Sequence, residues 1–322
     1  MRNIAAGLSC GLAAALLAGA ACAAGFPDRP VTMVVPFSPG GATDQAARVI
    51  AERMGEALGQ SVIVQNKPGA GTVLGASYVQ NSRADGYTIL MATNTTLVTS
   101  RYLFKTLPFD PDGFAPIGMV GAGPLMLLIG KDRPFATTKD VVDYARQHPG
   151  KLTFASFGLG TSSHLAGEYF KSQAGIQIEH VPFKGAAEAN LALIRGDVDL
   201  YFDTMSTGIP QIQAGKLRAL GITSMRRLES VPELATFDEQ GYANFEIAAW
   251  LSLAAPPKTP PEVVARLEQA LVATLKDETV RKRVLTIGFA PSDGTAQELD
   301  AQIKSDSALT SRLVKLANIP QQ

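Results

Sequence analysis

The sequence predicts an α/β protein of two domains, one of them interrupted by the other. Its 322 residues leave room for two domains of ordinary size. Short apolar runs alternate with amphipathic stretches of helical period, which is the pattern of β–α–β units and of a largely parallel sheet. A second such series begins after residue 121, and the chain then returns through further helices. We expect the chain to cross between the domains near residues 121–126 and 241–250, where a hinge would form.

The elements of the first series are the clearest. A buried strand at 31–35 leads through a Gly/Pro-rich loop into a helix at 43–58, which Gly59 ends. Further strands are predicted at 62–64 and 88–91. The predicted boundaries are a leader at 1–24, a first part of domain 1 at 25–125, domain 2 at 126–246 and the return of domain 1 at 247–322.

The second series carries its own strands and helices. A capping pattern at Thr137 and Asp140 predicts a helix start after a long apolar run. Its predicted strands are 152–156, 177–181, 199–203 and 217–223, and its helices are 161–174, 186–195 and 207–214. The returning chain adds a strand at 247–253 and helices at 262–275, 279–285 and 295–316.

The first residues resemble a secretory signal peptide. Arg2 provides a positive start, residues 4–21 are apolar, and small residues then offer a cleavage site after Ala23 or Ala24. We expect an exported protein with its leader removed. Lipidation of Cys22 is an alternative, disfavoured because Gly19 stands where a Leu is normally wanted, and a retained membrane anchor is another.

Composition excludes several classes of function. Lys and Arg number 29 and Asp and Glu number 29, so the chain lacks the excess positive charge of a nucleic-acid binder. Both cysteines lie in the leader, so cleavage would leave no thiol nucleophile. Export also argues against nucleotide-dependent chemistry. We therefore expect no cofactor and no nucleic acid, and we expect a monomer.

The strongest local signal is a Gly/Pro-rich loop between the first strand and its helix. Loops at the carboxyl ends of strands are where open α/β sheets bind ligands, and free N–H groups at a helix start bind anions. Asp44 and Thr43 have a structural alternative, in which Thr43 caps the helix and Asp44 complements its dipole. The candidate ligand-binding residues here are Phe37, Ser38, Pro39, Gly40, Gly41, Thr43 and Asp44.

A second loop of the same kind follows the strand at 152–156. His164 would lie in the first turn of its helix, where the helix dipole disfavours an imidazolium, so we expect a neutral, hydrogen-bonded histidine. Two such loops, one in each series, predict opposite walls of a cleft. The candidates are Ser156, Gly158, Gly160, Thr161, Ser162, Ser163 and His164.

Further candidates follow the next two strands at the same predicted sheet edge. Lys184 and Gly185 would add positive potential and a close backbone approach, although Lys184 is equally compatible with a solvated lysine. Asp203 would hold an ammonium group, orient a water, or only cap the next helix.

Known catalytic and metal-binding patterns are absent from the chain after the leader. That part contains no Gly-x-Ser-x-Gly and no His-Glu-x-x-His, and its three histidines are spaced sixteen apart. The glycines of 69–75 miss the dinucleotide-binding spacing by one position and predict a tight turn into a helix.

Together, these motifs resemble the Bug-type periplasmic solute-binding proteins, the receptors of tripartite tricarboxylate transporters. The resemblance spans nearly the whole chain after the leader. Ser38 stands where the family often has Ala, and Ser162 where it often has Pro. The matching segments are 27–30, 36–44 with Arg48, 66–71, 85–90, 158–165 with Glu168, 181–185, 196–199, and Pro256 with 259–260.

The resemblance implies a type II periplasmic binding protein fold that closes about a hinge over a central cleft. It implies a small carboxylate ligand, such as a dicarboxylate, an acidic amino acid or an aromatic acid, held by the two loops at 37–41 and 158–163. The implied partners are the membrane components of the transporter. A sensory receptor is an alternative. An exported hydrolase or isomerase is another, with Asp44, His164, Lys184 and Asp203 as its acid–base candidates.

Overall fold

The computed structural model describes residues 25–316 and residue 321. The predicted leader at 1–24 and its cleavage site lie outside the described residues. Among the helices of the described part, none is long and apolar enough to cross a membrane.

One side of a curled, mixed sheet is built by three strands from the start of the chain and one from its return. Strands β1 at 31–35, β2 at 62–66 and β3 at 88–93 are parallel and pair in the order β2-β1-β3, and β3 pairs on its other side with the antiparallel strand β9 at 248–255. Their buried faces carry Val, Met, Ile and Leu side chains, which form the core against the neighbouring helices. The bounds are Val31–Val35 (β1), Val62–Asn66 (β2), Thr88–Thr93 (β3) and Ala248–Ala255 (β9).

Strand β4, Ala115–Gly130, is unusually long and joins the two sides of the sheet. Up to Pro124 it pairs with β9, and from Leu125 onward it pairs instead with β7 at 200–204 and β8 at 217–222. The short strand β10, Ala290–Pro291, also pairs with its first half. The prediction of a largely parallel sheet is therefore wrong. The observed sheet is mixed, because β4 and β9 run antiparallel to their neighbours.

The second side of the sheet has the order β8-β4-β7-β5-β6 around the second half of β4. Strands β5, β6 and β7 are parallel to one another, as a β–α series requires. The bounds are Thr153–Ser156 (β5), Glu179–Pro182 (β6), Leu200–Thr204 (β7) and Leu217–Ile222 (β8).

Helices cover both faces of the sheet. A π-helix, Thr95–Thr99, follows β3 directly and continues into the short helix α3. The α-helices are Ala42–Leu58 (α1), Val73–Gln80 (α2), Ser100–Leu103 (α3), Thr138–Gln147 (α4), Ser162–Ala174 (α5), Ala186–Arg195 (α6), Met205–Gln213 (α7), Pro261–Lys276 (α8), Glu278–Thr286 (α9) and Ala296–Leu316 (α10).

A buried threonine ties the crossing segments together where β4 changes partners. The Oγ1 of Thr223 accepts a hydrogen bond from the Leu125 N–H at 2.9 Å and donates to the Ile247 carbonyl at 2.5 Å. The backbone of Thr223 bonds to the same two residues. The chain thus passes between the two sides of the sheet through neighbouring, hydrogen-bonded segments.

Candidate functional site

The first Gly/Pro-rich loop, residues 36–41, turns from β1 into α1. Phe37 is buried, whereas Pro39 and Gly40 are exposed, and Gly40 has φ of +86°. Gly41 precedes α1, and no side chain of the described residues caps this helix start. The alternative in which Thr43 caps the helix is therefore not seen. The uncapped first turn leaves N–H groups available to an anion.

Asp44 anchors this loop from beneath and is itself buried. Its oxygens accept hydrogen bonds from the Gly40 N–H at 2.9 Å, from the Arg48 guanidinium at 3.0 and 3.1 Å, and from Asn66 at 2.9 Å. Burial raises the pKa of Asp44, but these hydrogen bonds outweigh burial and leave the pKa below its usual value. Asp44 is ionised, and its charge is neutralised by Arg48.

The second Gly-rich loop turns from β5 into α5 and is held by hydroxyl groups. Thr161 caps α5 through the His164 N–H and donates to the Gly158 carbonyl at 2.6 Å. Ser163 donates to the carbonyl of Phe202 on β7. The Ser162 hydroxyl is buried and has no hydrogen-bond partner among the described residues.

Two stacked histidines stabilise the second loop. The rings of His164 and His180 lie 4.0 Å apart, the Nδ1 of His164 accepts from the Gly160 N–H, and the Nε2 of His180 lies 2.7 Å from the Ser156 hydroxyl. Burial lowers the pKa of His180 to about 4 and lowers the pKa of His164 well below its usual value. His164 accepts through Nδ1 and is neutral, in line with the structural role expected for it.

The first loop contacts both the second loop and residues 184–186, which follow β6. The rings of Phe37 and Phe157 pack edge to face with centroids 6.1 Å apart. The Ser38 N–H and hydroxyl both lie within hydrogen-bond distance of the Lys184 carbonyl. A Cβ at Gly185 would lie 3.2 Å from the Cβ of Ser38, and one at Gly41 would lie 3.7 Å from the Cβ of Ala186. The sequence-predicted walls are therefore in contact, and the uncapped starts of α1 and α6 lie next to each other.

A cavity of about 230 Å³ lies between these loops. Of the predicted residues, Phe37, Gly158 and Lys184 line it, and Ser38, Gly41 and Gly185 lie at the contact between the loops. Thr161, Ser163 and His164 stand behind the second loop, as Asp44 does behind the first. The lining residues are Pro36, Phe37, Gly69–Thr72, Phe157–Leu159 and Pro182–Lys184.

Asp203 lies away from this cavity, in a buried polar cluster between β7 and two helices. Its carboxylate accepts hydrogen bonds from Asn190 and Thr207, both at 2.7 Å, and from the Thr204 N–H at 2.8 Å. Burial raises the pKa of Asp203 to about 6, although these hydrogen bonds oppose the shift. The described contacts give Asp203 a structural role in the second half of the sheet.

Two segments at the site were not predicted as parts of it. Gly69–Thr72 contributes to the cavity wall, and the π-helix Thr95–Thr99 lies behind it, with the hydroxyls of Thr72 and Thr96 hydrogen-bonded at 3.1 Å. The glycines of 66–71, next to a strand end, are the sequence signal that marked the first segment. The π-helix has no comparable sequence signal.

The cavity suits an anion with an apolar body. Among the described residues that line it, Lys184 carries the only charged side chain and none is acidic. Phenyl, prolyl and leucyl side chains make up most of the remaining wall. Within the described residues, no group of His, Cys, Asp and Glu side chains could hold a metal ion.

Comparison with known proteins identifies the family. The model of the tripartite tricarboxylate transporter family receptors, TctC, matches residues 46–319. The chain belongs to this family. A curated relative, a UPF0065 protein of Bordetella pertussis, is 40% identical over 259 residues, covering 80% of each chain.

Solved structures agree with this assignment. The periplasmic binding protein BugD superposes with a TM-score of 0.87 at 35% identity, covering 92% of this chain and 100% of BugD. Rpa4515 of R. palustris, solved with adipate, gives a TM-score of 0.89 at 34% identity, with 92% and 100% of the two chains covered. The expected family and the expected periplasmic binding protein fold are thereby confirmed, and the TctC receptor described here is a solute-binding protein of that class.

Proposed function

We propose that this TctC receptor captures a small carboxylate between the loops at 37–41 and 158–163 and delivers it to the membrane components of a tripartite tricarboxylate-type transporter. The observation that carries the proposal is the contact between the uncapped start of α1 at Gly41 and that of α6 at Ala186. The helix α6 follows the segment 182–185 that ends β6, and both helix dipoles place partial positive charge beside the cavity that residues 182–184 and the two loops line. The adipate bound to the relative Rpa4515 supports a carboxylate ligand.

The charge distribution around the loops favours an anion over an amine. The one carboxylate beneath the first loop, Asp44, is paired with Arg48 and turned away from the cavity. The exposed amine of Lys184 adds positive potential at the cavity wall. Since no acidic side chain of the described residues lines the cavity, a ligand ammonium group would have no charged partner among them.

Closure about a hinge would trap the ligand. The division into domains at 25–125, 126–246 and 247–322 is part of this proposal, and the change of partners within β4 at Pro124 and Leu125 supports it. The hydrogen bonds of Thr223 to both crossing segments would keep these segments together as the two sides rotate. We further propose that the protein is exported to the periplasm with its leader cleaved, and that it acts as a monomer.

Native mass spectrometry and thermal shifts on the mature protein test this proposal. A ligand that binds only the folded form raises its stability, by about 2.7 kcal/mol at a hundredfold excess over the dissociation constant. The panel would include adipate, malate, acidic amino acids and benzoate. A carboxylate that co-purifies or shifts melting supports the proposal, and a complete lack of response across the panel contradicts it.

Replacement of Gly40 tests whether the first loop binds the ligand. A Cβ at Gly40 meets no protein atom within 4 Å, so Gly40→Val fills only the open space in front of the loop, apart from the strain of φ at +86°. We expect binding to weaken at least a hundredfold by calorimetry. Gly241→Val is the matched control, because Gly241 has φ of +93° and also open space around it. If Gly40→Val and Gly241→Val bind the ligand with equal affinity, the first loop is not part of the binding site.

A further inference from the structure

The segment Gly69–Thr72 has a backbone that L-residues rarely adopt. All four of its residues have positive φ, at +140°, +47°, +57° and +81° in order. Two of them, Ala70 and Thr72, are not glycine, and a β-branched residue at positive φ is an outlier. Strain of this kind persists where the surrounding structure holds it, and it is concentrated at ligand clamps and switch regions.

The segment lies in direct contact with the second loop. A Cβ at Gly71 would overlap the carbonyl oxygen of Leu159, and one at Gly158 would lie 3.7 Å from the Cα of Gly71. Backbone therefore packs on backbone at this point. A residue larger than glycine at position 71 would force the two segments apart.

The segment is also fixed to the first loop and to the π-helix. A Cβ at Gly75, in the first turn of α2, would lie 2.8 Å from the Cβ of Pro36. The buried Thr72 hydroxyl bonds to Thr96. The segment thus packs on the second loop at Gly71, and the helix that it leads into packs on Pro36, so together they connect both walls of the cavity.

We propose that Gly69–Thr72 is a third binding segment, which holds the ligand cavity shut because the backbone of Gly71 packs directly against the backbone of Leu159. The first and second loops form two walls of the cavity, and this segment forms the side between them. Ala70 and Thr72 line the cavity themselves, so the contact between Gly71 and Leu159 also sets the width of the cavity. The effect on ligand affinity rests on the proposed function, whereas the contact itself does not.

The test compares Gly71→Ala with Gly175→Ala. Gly175 has φ of +61°, close to the +57° of Gly71, but a Cβ there meets nothing within 4 Å. Both variants carry the same backbone strain, and only Gly71→Ala overlaps a neighbour. Gly71→Asn is a second variant that keeps the overlap while tolerating positive φ better than Ala, in case Gly71→Ala folds poorly.

Without ligand, we expect Gly71→Ala to show a larger radius of gyration by X-ray scattering than the wild type and Gly175→Ala, and faster amide exchange at 157–160. With adipate, we expect calorimetry to give at least tenfold weaker binding for Gly71→Ala and less than twofold for Gly175→Ala. Wild-type scattering, exchange and affinity in Gly71→Ala and Gly71→Asn would overturn the inference. A wild type that binds no carboxylate would contradict the proposed function, while scattering and exchange would still decide whether the contact exists.

Discussion

The two Gly-rich loops occupy equivalent places in the fold but are held by different chemistry. The first is anchored by an ionised carboxylate, Asp44, with Arg48 and Asn66 as its partners. The second is anchored by uncharged groups, since His164 and His180 bond to a backbone N–H and a serine hydroxyl. In both, none of the groups that hold the loop lines the cavity.

This difference shows how the proposed carboxylate site can be stabilised without losing its positive potential. A bare carboxylate beneath the first loop would repel a carboxylate ligand, and pairing with Arg48 removes that repulsion. The second loop avoids the problem with neutral imidazoles. The consequence is that the first loop depends on ionisation of an acid, whereas the second depends on deprotonation of bases, so mutation and pH should separate them.

Loss of the Asp44 carboxylate should have the largest effect on stability. Asp44→Ala leaves the Gly40 N–H and the Asn66 amide without their acceptor, and we expect a loss of about 2–3 kcal/mol in the free energy of unfolding. Urea denaturation measures it. The control is Asp112→Ala, since Asp112 pairs with Arg101 but its side chain is 71% exposed, so its loss should be below about 1 kcal/mol. Equal losses in both variants would show that Asp44 does not anchor the loop.

The pH dependence of stability should identify the histidines of the second loop. Their folded-state pKa values are depressed, to about 4 for His180, mainly by burial. The unfolded chain therefore binds more protons below about pH 6.5, and stability falls from there toward pH 4, by up to about 1.4 kcal/mol per pH unit for each histidine. The pKa of Asp44 is lowered from 3.8, so the stability that its ionised form contributes is lost only as the pH falls below about 3.8. The first loop should therefore keep its contribution to stability between pH 6.5 and pH 4.5.

Urea denaturation from pH 7.5 to 4.5 measures this effect in a His164→Gln, His180→Gln double variant. We expect its stability to fall less between pH 6.5 and 4.5 than that of the wild type. Asp203 has its pKa raised to about 6, so its stabilisation declines as pH rises from 3.8 to 6, but this contribution is common to both proteins and cancels. His148→Gln, at an exposed position, should keep the wild-type slope. A double variant with an unchanged acid slope would contradict the assignment.

Most helices and strands could be predicted because their hydrophobic periods are local. The first half of β4 could not, since Gly118, Gly121 and Gly123 in a strand indicate turns. The structure gives their physical reason. A Cβ at each would collide with the backbone of the returning segment at residues 288–294, so these glycines allow a close approach that only tertiary contacts reveal.

The candidate site was predictable in part for the same reason. A strand followed by glycines and a helix start marks a loop at a sheet edge, and both such loops do meet. The turn at Gly69–Thr72 was predicted as a turn, but its position against Leu159 depends on a contact between segments about 90 residues apart, which no local pattern encodes. Asp203 was placed at the correct strand end, yet its side chain enters a buried cluster instead of the cavity.

The smallest expected effect concerns Lys184, which distinguishes side-chain charge from backbone dipoles as the source of the anion field. Its side chain is exposed, so its attraction for a carboxylate is screened by salt. We expect Lys184→Gln to weaken adipate binding about two- to fivefold at low ionic strength, as an exposed ion pair of up to about 1 kcal/mol would. In 0.5 M salt, calorimetry should give nearly equal affinities for variant and wild type.

Lys151→Gln is the matched control, because Lys151 is also exposed but precedes β5 at the opposite end of the strand from the second loop. If both variants lose the same small amount of adipate affinity, Lys184 contributes to binding only through the net charge of the protein. The helix starts at Gly41 and Ala186 would then supply the attraction through their N–H groups, and salt would screen this attraction far less, because in the proposed complex these groups contact the carboxylate directly.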